Sequence, residues 1–129
     1  MQLLVEVSVG DVIDKITILE LKTQRISDPS KLANVRVELD ALNAAIDGAL
    51  QPSVELDRLR AELFNINAAL WQIEDDIRLC EGSGDFGPRF IELARAVYVT
   101  NDRRAAVKKQ INLAVGSRLV EEKSYAGSL

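Results

Sequence analysis

The residues best equipped for chemistry lie on two stripes. One is Asn67, Trp71, Glu74 and Arg78, spaced four, three, four; the other is Arg95, Tyr98, Asn101, Asp102, Arg103 and Arg104. Together they offer amides, carboxylates, guanidinium groups, a phenol and an indole. Guanidinium groups grip carboxylate or phosphate through paired hydrogen bonds, so Arg103 and Arg104, with Lys108, suit a small anionic ligand. A phosphosugar, a nucleotide sugar or a dicarboxylate fits that chemistry. Glu74, Asp75 and Asp76 carry the oxygen ligands that Mg2+ prefers. Consecutive acids on a helix point in different directions, however, so at most two of the three share a face. No metal and no cofactor is expected. The same residues have a structural reading: Glu74 and Arg78 form a favourable i,i+4 pair. A buried Arg or Asn on a helical seam often fixes register or oligomeric state.

Composition excludes several classes. The 129 residues contain no His, which removes the commonest general base and the commonest transition-metal ligand. Cys80 is the only cysteine, so no internal disulfide and no thiolate zinc cluster can form. It fits a reducing compartment and reads as a small apolar residue at a helix end. There is no phosphate-binding glycine loop, no dinucleotide fingerprint and no nucleophile elbow. The formal net charge of -4 opposes generic binding to nucleic acid or anionic membranes. Arg103, Arg104, Lys108, Lys109 and Arg118 are a local exception, but no aromatic residues interleave with them. Met1–Val9 lacks a secretory signal, and no apolar run approaches the ~18 residues of a membrane span. The chain therefore reads as a complete cytoplasmic protein.

The elements that must position these stripes are helices. Hydrophobic residues make up 47% of the chain and charged residues 28%, a globular balance, while aromatics are only 5%. The core must come from Leu, Ile, Val and Ala, as in helix bundles. Leu3, Val5, Val7 and Val9 alternate with period two, which predicts a short strand or an extended arm. Val12, Ile16, Leu19, Thr23 and Ile26 then follow a heptad, giving a first helix over 8–27, with Ser8 and Asp11 as a weak capping box. Asp28-Pro29 opens a second helix over 29–48, with Leu32, Val35, Leu39, Leu42 and Ile46 on one face. Ser53 caps a third over 53–81. Its stripe runs unbroken through Leu56, Leu59, Leu63, Ile66, Leu70, Ile73, Ile77 and Cys80. Gly82-Ser83-Gly84-Asp85 is a turn, and a fourth helix spans 87–115 through Phe90, Leu93, Val97, Val107 and Ile111. The tail, 117–129, either pairs as a strand with the N-terminal arm or packs across the bundle.

The expected fold is all-α: one domain of long antiparallel helical hairpins with coiled-coil-like packing. Short connections make neighbouring helices antiparallel. Folding the third and fourth helices about the turn levels residues whose numbers sum to about 167. That brings Asn67 beside Thr100 and Asn101, and Trp71 beside Val97. Arg104 falls on the seam itself, where an Arg must be paired, and Asp14 and Glu20 on the first helix are placed to meet it. Narrow heptad seams are often completed by a second copy, so a homodimer is expected.

Several stretches also carry a resemblance. Val7–Glu20, Leu70–Arg78, Phe90–Tyr98, Asn101–Arg104 and Glu121–Tyr125 resemble the body of an uncharacterised bacterial family of short helical proteins. The resemblance covers nearly the whole chain and implies no activity. It implies a loose link to surface-polysaccharide and glycosyltransferase genes. Similarity to all-helical chorismate mutases extends only to composition and period. The carboxylate set of helical nucleotide pyrophosphohydrolases is missing, since Glu92 is followed by Arg95 and Glu74 by Ile77. Two expectations result: a non-enzymatic dimeric interaction module with a protein partner in envelope polysaccharide synthesis, or a small enzyme or binder of an anionic metabolite.

Overall fold

The computed structural model describes residues 1–119 and 121–126. Four helices carry the chain: α1 (Val9–Arg25), α2 (Pro29–Ala49), α3 (Val54–Ser83) and α4 (Pro88–Val115). Their starts follow from local chemistry. Ser8, Asp28 and Ser53 lie in extended backbone, and their side chains accept from the N–H groups of Asp11, Ser30 and Leu56. Each cap satisfies a donor that a helix start leaves without a partner. Pro29 and Pro88 occupy first turns, where a missing N–H costs nothing. The Gly87 cap of α4 has no side chain, and Asp85 steadies it by accepting from the Gly87 N–H at 3.0 Å. Gly84 and Gly116 end α3 and α4 at φ 69° and 68°, a left-handed geometry that a β-carbon disfavours.

α1 holds the assembly together. It packs on all three other helices, α3 and α4 pack along each other, and α2 rests on α1. The core gathers Ile13 of α1, Leu59, Leu63 and Ile66 of α3, and Val107 and Ile111 of α4. Ile46 and Leu50 reach it from the end of α2. All of the α3 and α4 members are heptad positions, so the repeat that forms each helix also supplies the surface that buries it. α2 contributes a single buried residue, Val35, and is an outer layer over α1.

α3 and α4 outrun α1. The last residue of α1, Arg25, sits with its guanidinium carbon 6.0 Å from the centre of the Trp71 ring. Beyond Trp71 and Val97 the two long helices continue as an arm to the turn at Gly84. Along this arm, from Gln72 to Ala96, only Cys80 and Leu93 are buried. Phe86 and Phe90 close its tip edge to face, with ring centres 5.3 Å apart.

The N-terminal residues form no strand, and there is no strand among the described residues. Residues 1–7 are exposed and meet the tail through side chains instead: Glu6 pairs with Arg118. The expected tail also includes Val120 and residues 127–129, which lie outside the described residues. Among the described residues, no helix is long and apolar enough to cross a membrane.

Candidate functional site

Three helices meet at Asp14. Its carboxylate is 4% exposed and accepts from Arg104 Nε at 2.9 Å, from Arg104 Nη2, and from Asn67 Nδ2 at 2.9 Å. The Asn67 amide also donates to Thr17 Oγ1 at 2.9 Å, and the Thr17 hydroxyl donates to the Asp14 carbonyl at 2.7 Å. Thr17 follows Asp14 by three residues, so one face of α1 presents both groups. A buried ion pair is tolerable only when its remaining hydrogen-bonding capacity is used, and here it is. Among the described residues no buried side-chain nitrogen or oxygen lacks a partner. The hydrogen bond to Asp14 outweighs burial at Arg104 and raises its pKa above the ordinary arginine value.

A second polar junction fixes the start of α1 to the end of α4. The Gly10 N–H donates to Asn112 Oδ1 at 2.6 Å, and the Val9 N–H donates to Ser117 Oγ at 3.4 Å. These bonds satisfy helix-start donors from outside the helix. Gly10 is required by proximity: a β-carbon there would lie 2.6 Å from the Lys108 carbonyl oxygen and 2.9 Å from Asn112 Oδ1. The Lys108 ammonium contacts Asp11 at 2.8 Å and Glu121 at 2.9 Å. Burial pulls its pKa down, but the hydrogen bonds to the two carboxylates pull harder, and the pKa is raised.

Beside the Asp14 layer an open groove of about 530 Å³ runs between α1, α3 and α4. Asn67, Trp71, Glu74 and Arg78 line it from α3, Asn101 and Arg104 from α4, and Ile18 and Leu21 from α1. Six of the ten residues singled out from the sequence therefore share one surface. Tyr98 and Asp102 border a separate recess of about 440 Å³ against Lys123 and Tyr125, and Asn101 reaches both. Arg95 and Arg103 are exposed and line neither space. The reason is azimuth. Being level along two helices does not fix side-chain direction, because each step along a helix turns the side chain by about 100°.

The charges in the groove are largely committed to one another. Arg104 gives two donors to Asp14, and Arg78 lies 3.6 Å from Glu74. Asp75 adds a further carboxylate to the lining. The groove thus combines an apolar floor of Ile18, Leu21, Leu70 and Val97 with a rim of mixed charge, and it gathers no cluster of uncommitted guanidinium groups. Glu74, Asp75 and Asp76 do not converge: among the described residues no group of three or more acids, Cys or His could hold a metal ion.

The pairing of Asp14 with Arg104 was legible from the seam position of Arg104. Thr17, Asn112 and Gly10 were not singled out. Thr17 and Asn112 were readable in principle as polar residues beside apolar seam positions, while the close approach at Gly10 has no local signal.

These features define a class: an all-α protein with a buried polar layer clamped by α1, and an open amphipathic groove next to it. The chain belongs to a family of unknown function, DUF6165, which it matches over residues 3–129. No curated protein and no solved structure matches it.

Proposed function

We propose that the protein is a non-enzymatic helical interaction module that works as a homodimer, with the arm of α3 and α4 as the contact region. The observation that carries this is surface. The chain exposes 8822 Å² for a mass of 14.2 kDa. A compact monomer of that mass exposes about 6,800 Å². The outlying residues 1–7 supply part of the difference. Residues 121–126 are exposed as well, so the excess is shared between the two chain ends and the arm. The arm holds apolar side chains that a monomer leaves in water: Leu79 is 71% exposed, Phe86 54% and Ile91 55%. Exposed apolar surface of this kind marks interaction sites.

The polar groups beside the groove fit this reading better than catalysis, because they are spent on one another. The setting comes from the resemblance described above: a cytoplasmic accessory of envelope polysaccharide synthesis, with a protein partner from that machinery. Sedimentation equilibrium tests the central claim. A mass of two chains that falls to one chain on dilution supports it, and a single-chain mass at every concentration refutes it. Thermal-shift screening against phosphosugars, nucleotide sugars and dicarboxylates tests the competing reading. A ligand that binds the native state must raise Tm. No shift is expected; a saturable rise would make the groove a metabolite site.

A further inference from the structure

We infer that the second copy seats on the open groove beyond the end of α1, with α3 of one copy against α4 of the other. This rests on the dimer reading above and adds its surface and orientation.

α1 meets both α3 and α4 at the Asp14 layer, and beyond Thr17 one face of it turns toward the first half of α3, where Glu20 pairs with Arg60 at 3.1 Å. Ile18 and Leu21 close one end of the groove, and about 530 Å³ remains open past them. The apolar floor at Leu70, Trp71 and Val97 is thus half covered, and the element that covers the rest is missing from the monomer. Beside the groove, Ile91 and Tyr98 are seven residues apart on α4 and so lie on one line; each is 55% exposed. Tyr98 borders the recess that shares Val97 and Asn101 with the groove, which places this apolar line at the groove's edge.

Charge sets the orientation. Along the arm Arg78 pairs with Glu74, and Arg89 pairs with Asp76 and Glu92, so the charges outside these ion pairs are Asp75 and Glu81 on α3 and Arg95 on α4. Two α3 helices side by side would repel, and α3 against the other copy's α4 would attract. A two-fold axis satisfies this twice, because each contact is repeated with the roles exchanged. The result is a four-helix arrangement of the two arms around a shared apolar centre, in which every seam gains cover.

The experiment uses the full chain. Trp71 is the only tryptophan and lines the groove, so its emission reports on that surface. Sedimentation equilibrium and Trp71 emission are followed together on dilution for wild type and three variants. Ile91→Arg tests the line beside the groove. Val54→Arg and Val37→Arg place the same charge at exposed apolar positions off the arm, so all three spare the core. Ile91→Arg should weaken the dimer at least about tenfold, with both controls unchanged. In wild type, Trp71 emission should shift in step with the fall in mass. Asp75→Arg and Arg95→Asp should each weaken the dimer, and mixing the two variants should restore part of the affinity. A wild type that is monomeric throughout overturns the dimer reading itself. A wild-type dimer that survives Ile91→Arg, or that dissociates with no change in Trp71 emission, leaves the dimer standing and overturns the groove as its seat.

Discussion

Asp14 is almost wholly withdrawn from water, and Arg104 is its counter-charge. Removing the guanidinium leaves a carboxylate in a site built for its charged form. Arg104→Ala should therefore cost about 3–5 kcal/mol in urea unfolding, the range for breaking a buried pair from one side. A loss under about 1 kcal/mol would show that water reaches Asp14 freely. Arg104→Lys should recover only part of the loss, because an ammonium cannot reproduce the paired donors. Gly10 makes a second point. Its missing β-carbon is what lets α1 lie against the Lys108 carbonyl, so Gly10→Ala should destabilise by about 1–3 kcal/mol despite the better helix propensity of Ala. A stabilised variant would refute the close approach. Lys108 adds a pH dependence. Its folded pKa is raised, so its contribution is fully present below the unfolded lysine value and is lost as pH rises through the folded value. Wild type should lose stability on this alkaline limb, while Lys108→Met should be weaker at neutral pH and decline less steeply above the ordinary lysine range. Parallel alkaline limbs would remove Lys108 as the cause.

Among the elements α2 stands apart. It buries only Val35 and rests on α1, whereas α1 is enclosed by three neighbours. Elements with few buried apolar contacts open at lower free energy than the global unit. Amides in the middle of α2 should exchange with solvent faster than those of α1 and of α3 around Leu63, as read by native-state hydrogen exchange. Equal protection across the helices would mean that α2 is fully cooperative with the core. The four helices were legible because heptads, caps and stop signals agree locally: Ser8, Asp28, Ser53 and Gly116 each act where their chemistry places them. The central place of α1 was less legible. Period shows which face of a helix is apolar, but not which helix will cover it. The candidate site divides on the same physics. Arg104 was readable because a seam position must face the interior, which named Asp14 and Glu20 alike; Asp14 meets it, whereas Glu20 pairs with Arg60 at 3.1 Å. Arg95 and Arg103 lie outside the groove, and a level register could not show this because it says nothing about side-chain direction. Gly10 was invisible because the Lys108 carbonyl it approaches lies far away in the chain.

At the scale of the whole molecule, the imbalance is between surface and core. Among the described residues twelve apolar side chains are buried, in a chain that exposes 8822 Å². A dimer would convert part of that surface into core, so apparent stability should depend on concentration. Tm should rise with protein concentration, since association stabilises only the folded state; a constant Tm would argue for a self-sufficient monomer. The polar junctions have a further implication, which concerns time. Asp14 finds Arg104 across 90 residues, and Gly10 finds Asn112 across 102. During synthesis α1 emerges before α3 and α4, which carry its partners. At roughly 5–20 residues per second, the carboxylate waits several seconds on the ribosome with no guanidinium to meet it. The apolar seams of α1, α2 and α3 can associate in that interval, but the layer that locks them stays open until α4 has cleared the exit. The chain thus withholds this layer until α4 has been made, and a message truncated before Arg104 yields a product that cannot close.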